Sequence, residues 1–225
     1  MGGRGSEDAN EGQVMTQASN PTYDAAQAAY LAAVDTFAAL VDGIEPTAWD
    51  RPGLGVWDVR SLVGHASRAM ITVLTYLDQP AESEDIDSPQ RYYALAARQS
   101  TDSDAVAERG RRAGVELGRQ PAAAVRDLAR RVTSRVEHAD PDSLITTIGG
   151  GMRVVAYLPT RTFELVVHSI DIAAATGLEI TFSPALVGHT TELATRIAVE
   201  LEQGIPVLAA LTGRRPLRSD FSVVA

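Results

Sequence analysis

Apolar residues recur along this chain every three or four positions with polar residues between them, and that 3.6-residue period predicts a protein built almost wholly of helices. Between Tyr23 and Val41 the stripe is Ala26, Tyr30, Val34, Phe37 and Val41, with Thr22 or Asp24 available to cap its start. Gly43, Pro46 and Pro52 interrupt the pattern. It returns from Asp58 to Leu77, where Val59, Leu62, Val63, Ala66, Met70, Val73, Leu74 and Leu77 make the buried face and His65 lies beside it. The acid-rich, proline-containing residues 79–88 read as a solvated loop. A weaker helix follows over Pro89 to Gln99, then two more over Ser103 to Leu117 and Pro121 to His138, the last opening on a proline suited to a first helical turn.

The period changes at Leu144-Ile145-Thr146-Thr147-Ile148. This β-branched run, the glycines 149–151 and the segment Met152 to Val155 predict a short hairpin. A phosphate cradle is the other use of three glycines, but the strand-to-helix context and the Lys or Ser/Thr in register are missing. Helical spacing resumes near Leu158 and runs to Thr176, where Gly177 suits a left-handed cap. The final long helix is expected from Ser183-Pro184 to Gln203-Gly204, a short one from Pro206 to Leu211, and Phe221, Val223 and Val224 as an extended docked tail. Together these elements make an all-α bundle of up-and-down helices with a small β-hairpin insertion. Residues 1–20 hold few large apolar groups to offset the entropy of ordering, so they read as a tail before one domain over 21–225; Met15 offers an alternative start.

Composition removes several function classes. A net charge of −9 disfavours nucleic acid, whose binding needs Lys and Arg on phosphates. The four arginines 126, 130, 131 and 135 alternate with apolar residues on one helix and read as its solvent face. With no cysteine, neither a disulfide nor a thiolate metal site exists, and any thiol must come from another molecule. No apolar run of about 18 residues and no secretory leader is present, which points to the cytoplasm and away from a membrane.

The candidate chemistry lies in Glu164-Leu165-Val166-Val167-His168. A carboxylate and an imidazole four apart share one helix face, and His65, on a distant apolar helix, offers a third ligand. Three protein ligands with one open position describe a catalytic zinc site. Asp171, three residues past His168, is the candidate catalytic-site partner of that imidazole. The bland readings are a solvent-facing Glu164 paired with Arg161 or His168, and an ordinary surface Asp171. Arg153, Arg161 and Arg214 are either surface charges or contacts for an anionic substrate. His138, at a helix C-terminus, and His189, with no partner in sight, stay outside the site.

The stretches Trp57-Asp58-Val59-Arg60-Ser61-Leu62-Val63-Gly64-His65-Ala66 and Thr162-Phe163-Glu164-Leu165-Val166-Val167-His168-Ser169-Ile170-Asp171-Ile172-Ala173, with the closing Leu211-Thr212-Gly213-Arg214, resemble the mycothiol-dependent maleylpyruvate isomerase family. The likeness covers residues 23–222. It implies a DinB-like four-helix bundle with a divalent metal, zinc or another ion such as nickel, held by His65, Glu164 and His168. It also implies mycothiol as a thiol cosubstrate and a small electrophile as the second partner, in a cis-trans isomerase or an S-transferase. The family's characterised type carries a C-terminal domain beyond the point where this sequence stops, so the resemblance reaches the metal site and the thiol rather than maleylpyruvate itself. A homodimer is allowed but not specified. Two other readings compete: a catalytically silent metal-binding or scaffold module, and a metal hydrolase that uses no thiol.

Overall fold

The helix that carries His65 begins where Asp58 accepts a hydrogen bond from the Ser61 N–H at 2.7 Å, and it spans Val59–Tyr76 (α2) in a computed structural model that describes residues 21–99 and 103–224. Three further helices complete a four-helix core: α1 (Pro21–Asp42), α5 (Pro121–Val136) and α6 (Val154–Thr176). α1 and α2 each pack against both α5 and α6. Their stripes meet in the middle. Tyr30, Phe37 and Val41 of α1, Leu62 and Met70 of α2, Val125 and Val132 of α5, and Leu158, Leu165 and Ile172 of α6 are all wholly buried. Burying each large side chain is worth roughly 1.5–3 kcal/mol relative to leaving it exposed, so this shared interior sets the helix arrangement.

The remaining helices lean on that core. α4 (Ser103–Glu116) packs on α2, α3 (Pro89–Gln99) on α6 and α7 (Pro184–Glu200), and α8 (Gly204–Leu211) on α7. β1 (Leu144–Thr147) and β2 (Gly150–Arg153) pair antiparallel, with Leu144 opposite Arg153 and Thr147 opposite Gly150. The Ser183 hydroxyl accepts from the Leu186 N–H at 3.2 Å to start α7, and Gly177, at φ 74°, ends α6. Among the described residues no helix is long and apolar enough to cross a membrane. An all-α bundle with a small hairpin is therefore the architecture, as the hydrophobic period implied.

Several expected boundaries move, each for a local reason. α1 begins at Pro21, which puts Thr22 and Asp24 inside its first turn. α6 begins at Val154, not near Leu158, so Val154 and Val155 belong to the helix rather than the hairpin. Their N–H groups donate to the Ser143 and Pro141 carbonyls at 3.1 and 3.0 Å, which lets the helix start directly from β2 without a side-chain cap. α7 stops at Glu200 because the Gln203 N–H closes onto the Ala198 carbonyl at 2.7 Å, and α8 starts at Gly204, two residues before Pro206.

The acidic loop is not simply solvated. Ala81 and Asp85 donate backbone N–H bonds to the Leu144 and Gly151 carbonyls, Thr146 donates to the Gln79 carbonyl, and Ile86 is 1% exposed. Arg153 adds an ion pair to Glu84 at 3.1 Å. The same contacts dispose of the phosphate cradle: the Gly151 N–H is spent on the Asp85 carboxylate at 2.7 Å, which leaves that amide unavailable to an anion. Arg126 and Arg135 do sit on the surface, paired with Asp42 and Asp78. Val223 and Val224 of the C-terminal stretch pack partly buried on the core, and the tail expected over residues 1–20 lies outside the described residues.

Candidate metal centre

Beside His65, α2 runs unusually close to α4. A Cβ on Gly64 would land in the backbone of Gly114, and one on Gly114 would lie 2.8 Å from the Arg60 carbonyl oxygen, so only a glycine pair permits this approach. Next to it the Trp57 indole stacks on the His65 ring with centroids 4.5 Å apart. Trp57 is held in turn by a hydrogen bond from Nε1 to the Ala107 carbonyl at 2.9 Å. Gly110 leaves room for that indole: a Cβ there would meet it at 2.6 Å.

From α6, Glu164 and His168 come to the same place. The His168 ring meets the His65 ring edge-on at 4.9 Å between centroids. One ligand-capable atom from each of His65, Glu164 and His168 lies within 4.8 Å of the other two. Glu164 Oε2 is 3.3 Å from His168 Nε2, while the opposite nitrogen, Nδ1, donates to Asp171 Oδ2 at 3.0 Å. Asp171 is an acceptor, so this bond fixes the proton on Nδ1 and leaves Nε2 facing the cluster. Glu164 therefore does make the along-helix contact with His168 that spacing allowed, but from a half-buried position rather than open solvent.

Tyr93, which sequence reading did not place here, and Arg161, which it placed beside Glu164 only as a solvent-facing pair, complete the surroundings. The Tyr93 hydroxyl, carried by α3, lies 2.8 Å from Glu164 Oε1 and 2.9 Å from the Thr160 carbonyl. Arg161, read from sequence as a surface charge or substrate contact, is only 9% exposed. Its guanidinium lies over the Tyr92 and Tyr157 rings at 5.2 and 5.1 Å, and its Nε donates to the Thr160 hydroxyl at 2.9 Å. The available signal was its place three residues before Glu164, on the same apolar face. Arg153 and Arg214, by contrast, are exposed or half-exposed and pair with Glu84, Asp142 and local backbone.

Electrostatics separates the two imidazoles. Burial and the nearby His168 bring His65 down to about 4, so its ring is neutral at physiological pH. Its Nδ1 is buried and has no hydrogen-bond partner. For His168 burial also works against charge, but the hydrogen bonds to Asp171 and Glu164 outweigh it and push the ring up to about 9. Burial raises Glu164, yet the His168 hydrogen bond and the Arg161 charge prevail and hold it down to about 2. Burial keeps the Tyr93 hydroxyl protonated, so it remains a donor. His138 binds the Ser134 carbonyl at the end of α5, and His189 lies on α7; neither joins the cluster.

Residues 30–173 match the sequence model of the mycothiol maleylpyruvate isomerase N-terminal domain. His65, Glu164, His168 and Asp171 all fall within the match. No curated protein and no solved structure matches the chain.

Proposed function

Because this chain belongs to the mycothiol maleylpyruvate isomerase N-terminal domain family, we propose that it is a divalent-metal-dependent enzyme that uses mycothiol, or a closely similar small thiol, against a small electrophile. The observation that carries the reading is the convergence of His65, Glu164 and His168. The residues fit a cation on chemical grounds. A buried Nδ1 without a partner on His65 costs stability unless something other than a protein group completes the cluster. Two imidazoles and one carboxylate suit zinc first, with nickel or another divalent ion as substitutes.

His65, Glu164 and His168 would hold the ion, and the ion would favour the thiolate form of a thiol brought beside it. The protein's own groups then have distinct tasks. Asp171 sets the tautomer and orientation of His168, Tyr93 orients the Glu164 carboxylate by donating to it, and Trp57 covers the His65 ring. Arg161 supplies a fixed positive charge near Glu164, which helps keep the carboxylate ionised. Such a thiolate would supply the nucleophile, either for transfer of sulfur to the electrophile with loss of its leaving group or for reversible addition to a conjugated double bond. Either reaction suits the cytoplasm, where small thiols are kept reduced.

The test is elemental analysis of the purified protein beside a His168→Ala variant, joined to thiol consumption with 1-chloro-2,4-dinitrobenzene as electrophile. About one divalent ion per chain is expected, lost in the variant, together with mycothiol conjugation that stops when the ion is chelated. Metal-dependent stability without turnover would identify a silent module, and ester hydrolysis without thiol would identify a hydrolase. Equal metal content in both proteins would overturn the site itself.

A further inference from the structure

The helix α8 buries none of its residues, although its sequence Gly-Ile-Pro-Val-Leu-Ala-Ala-Leu is apolar throughout. A helix apolar on every side belongs in an interior, yet α8 packs on α7 and leaves its other side bare. Ile205, Leu208 and Leu211 follow one another at three-residue intervals and are 76%, 57% and 69% exposed, so they form one apolar face. Val199, 66% exposed, extends it: a Cβ on Gly204 would lie 2.8 Å from the Val199 side chain, which sets the end of α7 against the start of α8. These four side chains together expose on the order of 500 Å² of apolar surface, near the upper end for the largest patch of a monomer.

Opposite charges bracket this face. Glu202 stands in the corner before α8, which the Gln203 N–H closes by donating to the Ala198 carbonyl at 2.7 Å. Arg214 stands just past the other end, where Gly213, at φ 70°, turns the chain and the Arg214 N–H donates to the Ala209 carbonyl at 2.7 Å. Both side chains are exposed, and among the described residues neither makes an ion pair. Glu202 and Arg214 lie at equal distances in sequence on either side of Leu208, and so do Ile205 and Leu211. About Leu208 the apolar pattern is thus symmetric, while the charge changes sign.

A surface with those two properties is complementary to a second copy of itself turned end for end. Two α8 helices crossing antiparallel at Leu208 set Ile205 against Leu211 and Glu202 against Arg214, each pair occurring twice. The parallel arrangement would set acid on acid and base on base. We propose that α8 is the face through which two copies of this chain form a two-fold symmetric dimer, with Leu208 at the axis. About 1,000 Å² would be buried in total, the low end for a specific interface, so a dissociation constant of about 1–100 µM is expected. The contact is independent of the metal centre, whose residues lie on α2 and α6.

Sedimentation equilibrium of the full chain up to about 200 µM tests the assignment. A monomer–dimer equilibrium is expected, and Leu208→Arg should weaken it at least tenfold by placing two like charges at the axis. Glu202→Arg and Arg214→Glu should each weaken it about three- to tenfold, because each turns both attractive pairs into repulsive ones. The double variant should recover the parent affinity, and an equal mixture of the two single variants should form a heterodimer. Circular dichroism should show the parent helix content throughout, since all three positions are exposed. A chain that stays monomeric, with or without binding to phosphatidylcholine vesicles, would overturn the proposal. So would a Leu208→Arg protein that dimerises like the parent, or a double variant no tighter than the single ones.

Discussion

His168 and Asp171, three residues apart on α6, are joined by a 3.0 Å bond between Nδ1 and Oδ2 that turns the other ring nitrogen toward Glu164 and His65. This bond aims the imidazole. Asp171→Ala should free the ring and lower divalent-metal affinity by about 10–100-fold, the usual cost of losing such an orienting carboxylate. Asp171→Asn retains an acceptor oxygen and should lose less. Competition against a chromogenic chelator measures both, and unchanged affinity in the alanine variant would remove Asp171 from its positioning role.

Protons compete with the metal at the same nitrogen. In the metal-free protein His168 holds its proton up to about 9, whereas His65 has lost its own above about 4. Metal binding near neutrality should therefore release about one proton, and affinity should rise about tenfold per pH unit from about 6 to 8. The metal-free protein should behave oppositely. The folded pKa of His168 lies above its unfolded value of about 6.5, so its contribution is complete below that value and is lost as pH rises toward 9. Glu164 has a depressed pKa, and its contribution disappears as pH falls from about 4.5 toward 2. Denaturation with and without metal at pH 6 and 8.5 should show the two slopes diverging; parallel slopes would contradict the assignment of His168 to the cation.

Tyr93 ties α3 to the centre. Tyr93→Phe removes the hydroxyl shared between Glu164 Oε1 and the Thr160 carbonyl while keeping the ring packed on Phe163 at 5.3 Å. A loss of about 1–3 kcal/mol is expected, because the shielded Glu164 carboxylate loses its donor. Metal affinity should fall with it, since Glu164 gains rotational freedom. A stability loss with unchanged metal affinity would make Tyr93 structural only.

The sequence and the structure diverge most at Arg161. The local pattern was enough to bring out His65, Glu164, His168 and Asp171, because spacing on a helix converts directly into a shared face. It was also enough for the Gly177 stop, which depends on neighbouring residues. What places Arg161 in the interior is only partly local: Tyr157 and Glu164 lie on α6 itself, but the second ring over the guanidinium is Tyr92 of α3, distant in the chain. Trp57 was visible as part of a motif, but its stacking on His65 requires the α2–α4 contact. The start of α6 was misplaced for the same reason, since its first N–H groups are satisfied by carbonyls of the preceding loop.

Arg161→Met should consequently be costly although it preserves apolar volume. It removes the cation stacked on Tyr92 and Tyr157 and leaves Glu164 with less compensation for its burial. More than about 2 kcal/mol of stability should be lost in the metal-free protein. Lysine should not restore it, because an ammonium lacks the planar face that stacks on the rings. Urea denaturation provides the comparison; a change below about 0.5 kcal/mol, the ordinary range for surface substitutions, would show that the charge is dispensable.

The glycine contact between α2 and α4 links stability to the centre. Gly64→Ala places a methyl group in the Gly114 backbone, where no side chain can swing aside, so α2 must shift away from α4. Overpacking of this kind costs about 1–3 kcal/mol. Because His65 is the next residue, the same shift should move its ring away from Trp57 and His168 and reduce metal affinity. Gly188 provides the contrast: it lies within α7, and a Cβ there would meet nothing within 4 Å. Gly188→Ala should stabilise the protein by about 0.5–1 kcal/mol through the lower entropy of the unfolded chain, with metal affinity unchanged. Both substitutions add one methyl group to a helical glycine, so opposite signs in a melting experiment would isolate the interhelical contact as the cause, and equal effects would refute it.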